Sequence, residues 1–505
     1  MKNSIKSVVL IAILFAAFSC TNLDEQLRNS FTKVPAINNQ GVGTKNNVNK
    51  PTPSDGLAGA FGKLSSGTAG NGGFFQASEL SSDEVVIGQK GGDWFDGGVY
   101  IKAHKHDFSP QTVSINDAWK DAYGGILQCN ELLATSLPVA KQAQLKTLRA
   151  YFYWRLLDMF GNVKLVVSTT VSPAQSTRAQ VFSFIESELL AAIPNLPTGL
   201  QEYGRVSQGA ARALLTRLYL NAEVYSGSPR LADAVIQADF VINSGVYALW
   251  PVYSEIFDAK NVENKEHIFV YPFDEATGPG MSIAQMTLHY PSQLTYKLAS
   301  QPWNGYQTME AFYNSYEVAD KRRTNNFIVG PQFDTNGAPI LDLAFDKADE
   351  DGAPINYTPK INELAPNASR QSGARLGKFN FKIGQTNDMD NDYPLLRYSE
   401  VILNKAEALW RINNADGTAL ILVNQIRSRA GVAPYASLSA GNFLAERGRE
   451  LFIEGLRRSD LIRFGAWGNA WWEKPAHASN DYRILMAIPL EQLQVDATLT
   501  QNPGY

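Results

Sequence analysis

Apolar residues recur at helical spacing through two long stretches of this chain and lose that rhythm in the stretch between them. In LKTLRAYFYWRLLDMFG, Leu145, Leu148, Phe152, Leu156 and Met159 form one stripe, and Gly161 stands where the helix should stop. SQGAARALLTRLYLNAEVYSG predicts a second helix with Ser207 as its N-cap and Gly227 as its stop, and PRLADAVIQADFVINSG predicts a third. The rhythm returns at YPLLRYSEVILNKAEALWRINN, where Tyr398, Val401, Ile402, Leu409 and Ile412 share a face. It continues through ADGTALILVNQIRSRAG and NFLAERGRELFIEGLRRSDLIRFG, both read as helical. From roughly Val246 to Asp392, Pro, Gly and Asn are frequent, aromatic residues recur, and no stripe persists beyond about three turns, so this segment reads as a loop-rich insert.

Paired helices with short turns, small residues such as Ala406 and Ala408 at close contacts, and recurrence in both halves predict helix-hairpin repeats of the tetratricopeptide kind. The expected fold class is therefore mainly α. One domain should span 54–505, with its helical scaffold at 54–245 and 393–465, the insert at 246–392 and a C-terminal segment at 466–505. Residues 20–53 are polar and rich in Asn and Lys, which reads as a tether. Ahead of it, Lys2 and Lys6 precede an unbroken apolar run from Val8 to Phe18, an export signal too short to span a bilayer comfortably. Ala16, Ala17 and Ser19 lead into Cys20, a pattern that resembles a bacterial lipoprotein signal over residues 1–19, with Ala17 where such signals usually carry Leu. The resemblance implies that Cys20 is lipidated, and Asp24 and Glu25 resemble the acidic signal that sends such lipoproteins to the cell surface.

Composition narrows the function. With 44% apolar residues and a formal net charge of −4, neither disorder nor nucleic-acid binding is expected. Cys20 and Cys129 are the only cysteines. They could pair in an oxidising compartment, but secreted proteins stapled by disulfides use many more. Cys129, inside the helical pattern GGILQCNELL, reads as a buried small apolar residue. Two cysteines offer no zinc spacing.

Several segments together resemble the SusD/RagB family of surface lipoproteins from Bacteroidetes. In the C-terminal half these are YPLLRYSEVILNKAEALWR, LVNQIRSRAG, ERGRELFIEGLRRSDLIRFG and the ending IPLEQLQVDATLTQNPGY. The N-terminal half adds ELSSDEVV, GGDWFDGGVYIKAHKHDFSP, LRAYFYWRLLDMFGNVKLV and GRVSQGAARALLTRLYL, all in the family's order. The resemblance implies a tetratricopeptide-like bundle with a loop-rich insertion. It also implies a non-enzymatic, lipid-anchored protein of the outer membrane surface that captures a nutrient, usually an oligosaccharide, and serves a SusC-like TonB-dependent transporter. No cofactor is implied. Some members serve peptide transporters, which leaves peptide capture as the alternative.

A glycan receptor needs exposed rings as platforms, with Asp, Asn, Gln or Arg to hydrogen-bond the rim. GGDWFDGGVY supplies Trp94 and Phe95 flanked by Asp93 and Asp96, with glycine pairs that let the backbone approach a ligand. QPWNGYQTME, in the insert, supplies Trp303, Asn304 and Tyr306, with Tyr290 and Tyr296 upstream. Trp94 and Trp303 are expected to form one shallow platform, the alternative being that each ring wedges its own loop in place.

Carboxylates raise an enzyme reading, since glycosidases flank a bond with two of them. Glu446, Glu450, Glu454 and Asp460 are conspicuous, but Arg447 with Glu450 and Glu454 with Arg458 stand at ion-pair spacing on a helix. Glu400 is expected to meet Arg427 or Arg429. His104 and His106 in HKH lack a third metal ligand nearby and read as loop or surface residues. NDMDND, Asn387 to Asp392, imitates the start of an EF-hand loop, but Tyr393 replaces the turn glycine and Ser399 the bidentate glutamate, so no metal is assigned. No P-loop or GxSxG motif is present.

Overall fold

The computed structural model describes residues 55–199, 202–262, 264–276, 280–342 and 352–505, and the described residues belong to one compact unit. The signal segment 1–19, Cys20 and the tether to residue 53 lie outside the described residues. In chain order the principal elements are α1 (Gly73–Glu79), β1 (Val85–Val86), α2 (Val99–His104), α3 (Val113–Leu133), α4 (Val139–Phe160), α5 (Arg178–Ala192), α6 (Gln208–Leu220), α7 (Leu231–Asn243), β2 (His267–Tyr271), β3 (Gln307–Thr308), β4 (Tyr393–Arg397), α8 (Tyr398–Ile412), α9 (Gly417–Ala430), α10 (Ala440–Leu451) and α11 (Arg457–Arg463). The fold is mainly α, with strands only as short two-stranded ribbons among the described residues.

Neighbouring helices pack in series: α3 on α4, α4 on α5, α6 on α7. The stripe on α4 is buried throughout, and Phe152 lies so close to Gly125 of α3 that a Cβ there would stand 2.3 Å from the ring. Helix α7 then packs on α8, so the second run of helices continues the stack begun by the first. The insert therefore leaves and re-enters at one seam. Antiparallel β2 and β4 close that seam, with Tyr393 opposite Tyr271 and Arg397 opposite His267.

Ser207 caps α6 as expected, and two further caps were not singled out from sequence. Ser207 accepts from the Ala210 N–H at the start of α6, while Thr177 and Ser439 form capping boxes on α5 and α10. Cys129 is buried and carries no disulfide; burial raises its thiol pKa to about 12, as suits an inert apolar filler.

Five local expectations need correction. Residues 393–397, read as helix, form β4, because the strand pairing with β2 satisfies their backbone while both faces are buried. The helix ending at Gly227 is interrupted at Asn221, whose side-chain amide donates to the Arg217 carbonyl and ends α6 early. The run from Asn442 to Gly465 is broken between α10 and α11, with Ile453 and Gly455 in left-handed backbone (φ +49° and +74°). Their N–H groups donate to the buried Glu84 and Glu79 carboxyls at 3.1 and 2.7 Å. That break undoes the expected ion pairs along one helix: Arg447 meets Asp460, Glu450 meets Arg397, Arg429 and Arg322, Glu454 meets Lys378 and Arg397, and Arg458 meets Asp158. Glu400 meets Arg217 at 2.7 Å, not Arg427 or Arg429, because α6 rather than α9 crosses α8 at that point.

The fifth correction concerns the histidines. His104 and His106 are buried rather than surface residues. His106 stacks on Trp467 at 3.9 Å between centroids and bonds the Ser81 carbonyl and His477, while His104 bonds the Trp472 carbonyl. Burial lowers their pKa values, to about 4 for His104 and about 2 for His106, so both pack as neutral rings.

Candidate functional site

Two loops from distant parts of the chain meet on the insert side of the helical stack. The first is the Gly88–Gly98 loop. It turns back at Gly91–Gly92, with Lys90 and Asp93 exchanging backbone hydrogen bonds and Gly91 in the left-handed conformation (φ +66°) that a two-residue turn needs at its first central position. The second is the segment leading into β3. Its Gln307 and Thr308 pair antiparallel with Val86 and Val85 of β1, which draws QPWNGYQ alongside GGDWFDGG. Residues 364–368 flank the first loop on its other edge through Gln89, Gly91 and Ala368 backbone bonds.

The indole of Trp94 joins the two loops. Its Nε1 donates to the Trp303 carbonyl at 2.5 Å, its ring meets Tyr100 edge-on at 5.3 Å, and the ring tip rests above Gly305. Trp94 itself has φ +58°, a conformation that costs a bulky residue about 1–3 kcal/mol and persists only where the surroundings impose it. These contacts impose it. An open cavity of about 700 Å³ lies over this junction, lined by Asn71, Gly92, Asp93, Trp94, Asp96, Tyr100, Tyr290, Gln301, Pro302 and Trp303. Its size falls within the range of small-molecule sites. Tyr100 and Tyr290 are largely buried, and Trp303 stays 41% exposed. Burial, and then the neighbouring Asp96 carboxylate, raise the Tyr100 pKa to about 12.

Of the residues proposed from sequence, Asp93, Trp94, Asp96 and Trp303 are brought together in this wall. Phe95 is 49% exposed on the same loop but is not part of the wall. The remaining three are corrected. Tyr306 is fully buried, with its ring edge-on to Phe75 beneath the junction. Asn304 is buried as well, and its amide donates to the Arg370 carbonyl at 3.1 Å. Tyr296 packs edge-on against Phe381 at 5.3 Å, away from the wall. The N–H groups of Trp303, Asn304, Gly305 and Tyr306 donate to the carbonyls of Gln285, Leu288 and Met286, and Asn304 adopts a left-handed backbone (φ +58°), so the segment is held irregularly with Trp303 exposed and residues 304–306 buried.

The conspicuous carboxylates lie elsewhere. The side chains of Glu446, Glu450, Glu454 and Asp460 are buried against arginine and lysine, and none lines the cavity. In NDMDND, Asp388 accepts from the Gly280 N–H and Asp390 pairs with Lys382, so the motif latches the insert to itself. Among the described residues no cluster of three or more His, Cys, Asp or Glu side chains is arranged to hold a metal.

Two family models match the chain: the SusD family over residues 265–505, and a family described as starch-binding associating with outer membrane over residues 88–220. The chain belongs to the SusD/RagB family. The starch-binding protein SusD of Bacteroides thetaiotaomicron is 26% identical over 430 residues, 76% of each chain. A solved laminarin-binding SusD-like protein superimposes with a TM-score of 0.71 at 25% identity, covering 89% of this chain and 98% of its own. Surface glycan-binding protein A from Bacteroides thetaiotaomicron, solved with laminarihexaose, gives a TM-score of 0.71 at 21% identity over 88% and 98% of the two chains, a likeness of fold.

In this SusD-family chain, Asn71, Tyr100 and Gln301 belong to the wall and were missed from sequence. Asn71 precedes α1 and Tyr100 sits on α2, and no spacing rule connects them to the two tryptophan loops. Gly305 has a role the sequence also hides. A Cβ there would come within 2.7 Å of the Trp94 ring and 2.8 Å of the Met286 carbonyl. Gly305→Ala should therefore displace the indole, break its bond to Trp303 and cost about 1–3 kcal/mol of stability. The tryptophan fluorescence of the folded variant should shift toward that of solvent-exposed indole, and an unchanged spectrum would show that Trp94 is not held by this contact.

Proposed function

We propose that this chain is a cell-surface glycan-binding lipoprotein, held in the outer membrane through lipidated Cys20, that captures oligosaccharides and delivers them to a SusC-like TonB-dependent transporter. It acts by binding and carries out no reaction. The observation that carries this reading is the joining of Trp94 and Trp303 in the wall of one open cavity, with Asp93, Asp96, Asn71 and Gln301 around them. Rings offer C–H faces of sugars an apolar surface, and the carboxylates and amides accept or donate at the hydroxyl edge. The bond that fixes Trp94 orders the ring before ligand arrives, which lowers the entropic cost of binding. Starch binding by one relative and laminarin binding by another, as their names state, support a glycan as the ligand class.

The test is calorimetry with a panel of α-linked and β-linked gluco-oligosaccharides. The Trp94→Ala, Trp303→Ala double variant should bind its best ligand weaker by about 2 kcal/mol or more, roughly thirtyfold. Unchanged affinity would remove this cavity as the site. Binding of extended peptides with no response to any glycan would favour peptide capture of the RagB kind. For the transporter, co-purification of a large outer-membrane barrel with the native lipoprotein is expected, and recovery of the lipoprotein alone from gently solubilised membranes would count against delivery.

A further inference from the structure

Two buried carboxyls that take no part in the cavity wall stand where its loops are tied to the helical stack. Glu79 ends α1 and Glu84 leads into β1, and each is only 1% exposed. One oxygen of each is satisfied by the same turn: Glu79 Oε1 accepts from the Gly455 N–H at 2.7 Å, and Glu84 Oε2 from the Ile453 N–H at 3.1 Å. The other two oxygens, Glu79 Oε2 and Glu84 Oε1, receive no N–H or O–H from elsewhere among the described residues, and the two carboxyls meet each other. Carboxylate oxygens only accept, so this contact is a hydrogen bond only when one of the two carries a proton. Arg457 does not supply the missing donor. Its Nε stands 3.9 Å from Glu84 Oε1, while its guanidinium donates to both oxygens of Asp83 at 2.6 and 2.8 Å.

We infer that Glu79 and Glu84 share one proton and act as a latch that fastens α1 and β1 to the α10–α11 turn, shut while the proton is held and loosened when it leaves. The latch does not depend on what the cavity binds. Asn71 of the cavity wall stands just before α1, and β1 pairs with β3, which continues the Trp303 segment. The Glu84 carbonyl extends that pairing by accepting from the Met309 N–H at 3.0 Å. Without the shared proton, two anions face each other away from water. Burial favours keeping it: Glu79 is raised to about 7, against the Gly455 N–H and Lys378, and Glu84 is raised well above its ordinary value, with Glu79 adding to the rise and Arg457 opposing it. The remaining groups that face the pair hold their charge in this range. Lys378, lowered by burial only to about 8, stays cationic, and Glu454, lowered by Arg397 and Lys378 against burial, stays anionic beside it. Asp83 adds negative charge from the same chain segment, and the hydroxyls of Tyr306, Tyr316 and Tyr393 are pushed well above 10 by burial. A carboxyl raised on folding contributes stability that is complete below its unfolded value and is lost as pH climbs through the folded one. The latch therefore weakens from about pH 4.5 upward, through about 7 for Glu79.

The experiment is denaturant unfolding of the wild-type protein and of Glu79→Gln at a series of values from about pH 5 to about pH 7. In the variant the amide donates to Glu84 and its carbonyl accepts from Gly455, with no proton to lose. Comparing the two at each pH cancels the carboxylates and histidines that titrate elsewhere. The folding equilibrium constant of the wild type should fall relative to that of the variant by up to about tenfold per pH unit. Glu84→Gln should behave alike, which keeps the test open if one variant fails to fold. Hydrogen exchange of the wild type alone, corrected for its intrinsic pH dependence, should show the Ile453 and Gly455 amides losing about tenfold or more of their protection from about pH 5.5 to about pH 8, a larger loss than in the α4 core. A wild-type-to-variant ratio that stays constant with pH overturns the latch, as does a loss of protection at Ile453 and Gly455 no larger than that in α4.

Discussion

Arg397→Met is expected to destabilise the protein by about 3–5 kcal/mol, the cost of removing one partner from a buried charge network. Arg397 is fully buried at the end of β4. Its guanidinium donates to Glu266 at 2.8 Å, to Glu450 at 2.7 Å and to both oxygens of Glu454 at 2.7 and 2.8 Å. Three carboxylates, Glu266 of the insert, Glu450 of α10 and Glu454 of the α10–α11 turn, thus converge on one cation at the seam where the insert re-enters. Methionine fills similar space but leaves those charges with fewer partners: Arg429 for Glu266, Arg429 and Arg322 for Glu450, and Lys378 for Glu454. Equilibrium denaturant unfolding reads the loss directly. A loss under about 1 kcal/mol would mean that these neighbours neutralise the network without Arg397.

The same network makes acid the condition most damaging to the fold. Burial by itself would raise the carboxyl of Glu446, but Arg322, Arg449 and Arg427 hold it at about 2. Glu450 is held well below its ordinary value by Arg429, Arg397 and Arg322, and Glu407, Glu454 and Asp460 are also lowered by adjacent guanidinium groups against the opposing effect of burial. A carboxyl whose folded-state pKa is depressed contributes stability that is present above its unfolded value and is lost as pH falls through the folded one. For Glu446 alone the shift from 4.5 to about 2 corresponds to something on the order of 3 kcal/mol. Cooperative unfolding is therefore expected as pH drops from about 4.5 toward 2, followed by far-UV circular dichroism. Full helicity retained at pH 2, or a midpoint already above pH 5, would contradict it. Glu79 works in the opposite sense: burial raises it to about 7, so its contribution is complete below 4.5 and is lost as pH rises toward 7.

The helices were legible in the sequence because a stripe at 3.6-residue spacing is a local property. Leu145 to Met159, Ser207 as a cap and Cys129 as a core residue needed only their neighbours in the chain. The two tryptophans were legible for a related reason: Trp94 stands between glycine pairs and carboxylates, and Trp303 beside Asn304 in a loop-rich stretch, settings that announce a surface built for contact. Tyr306 and Asn304 were not distinguishable from Trp303, because which of them is buried is set by the left-handed turn at Asn304 and by backbone bonds to Gln285, Met286 and Leu288, none of which is legible from the segment itself.

By itself, then, the amino-acid order determined the mainly α architecture, the loop-rich insert and the family, all of which follow from periodicity and from motifs read along the chain. Tertiary structure alone decided which charges pair and which rings share a wall. Ion-pair partners such as Glu400 with Arg217 are chosen by helix crossings rather than by spacing. The cavity exists because β1 and β3 bring together two loops whose own residues carry no instruction to meet.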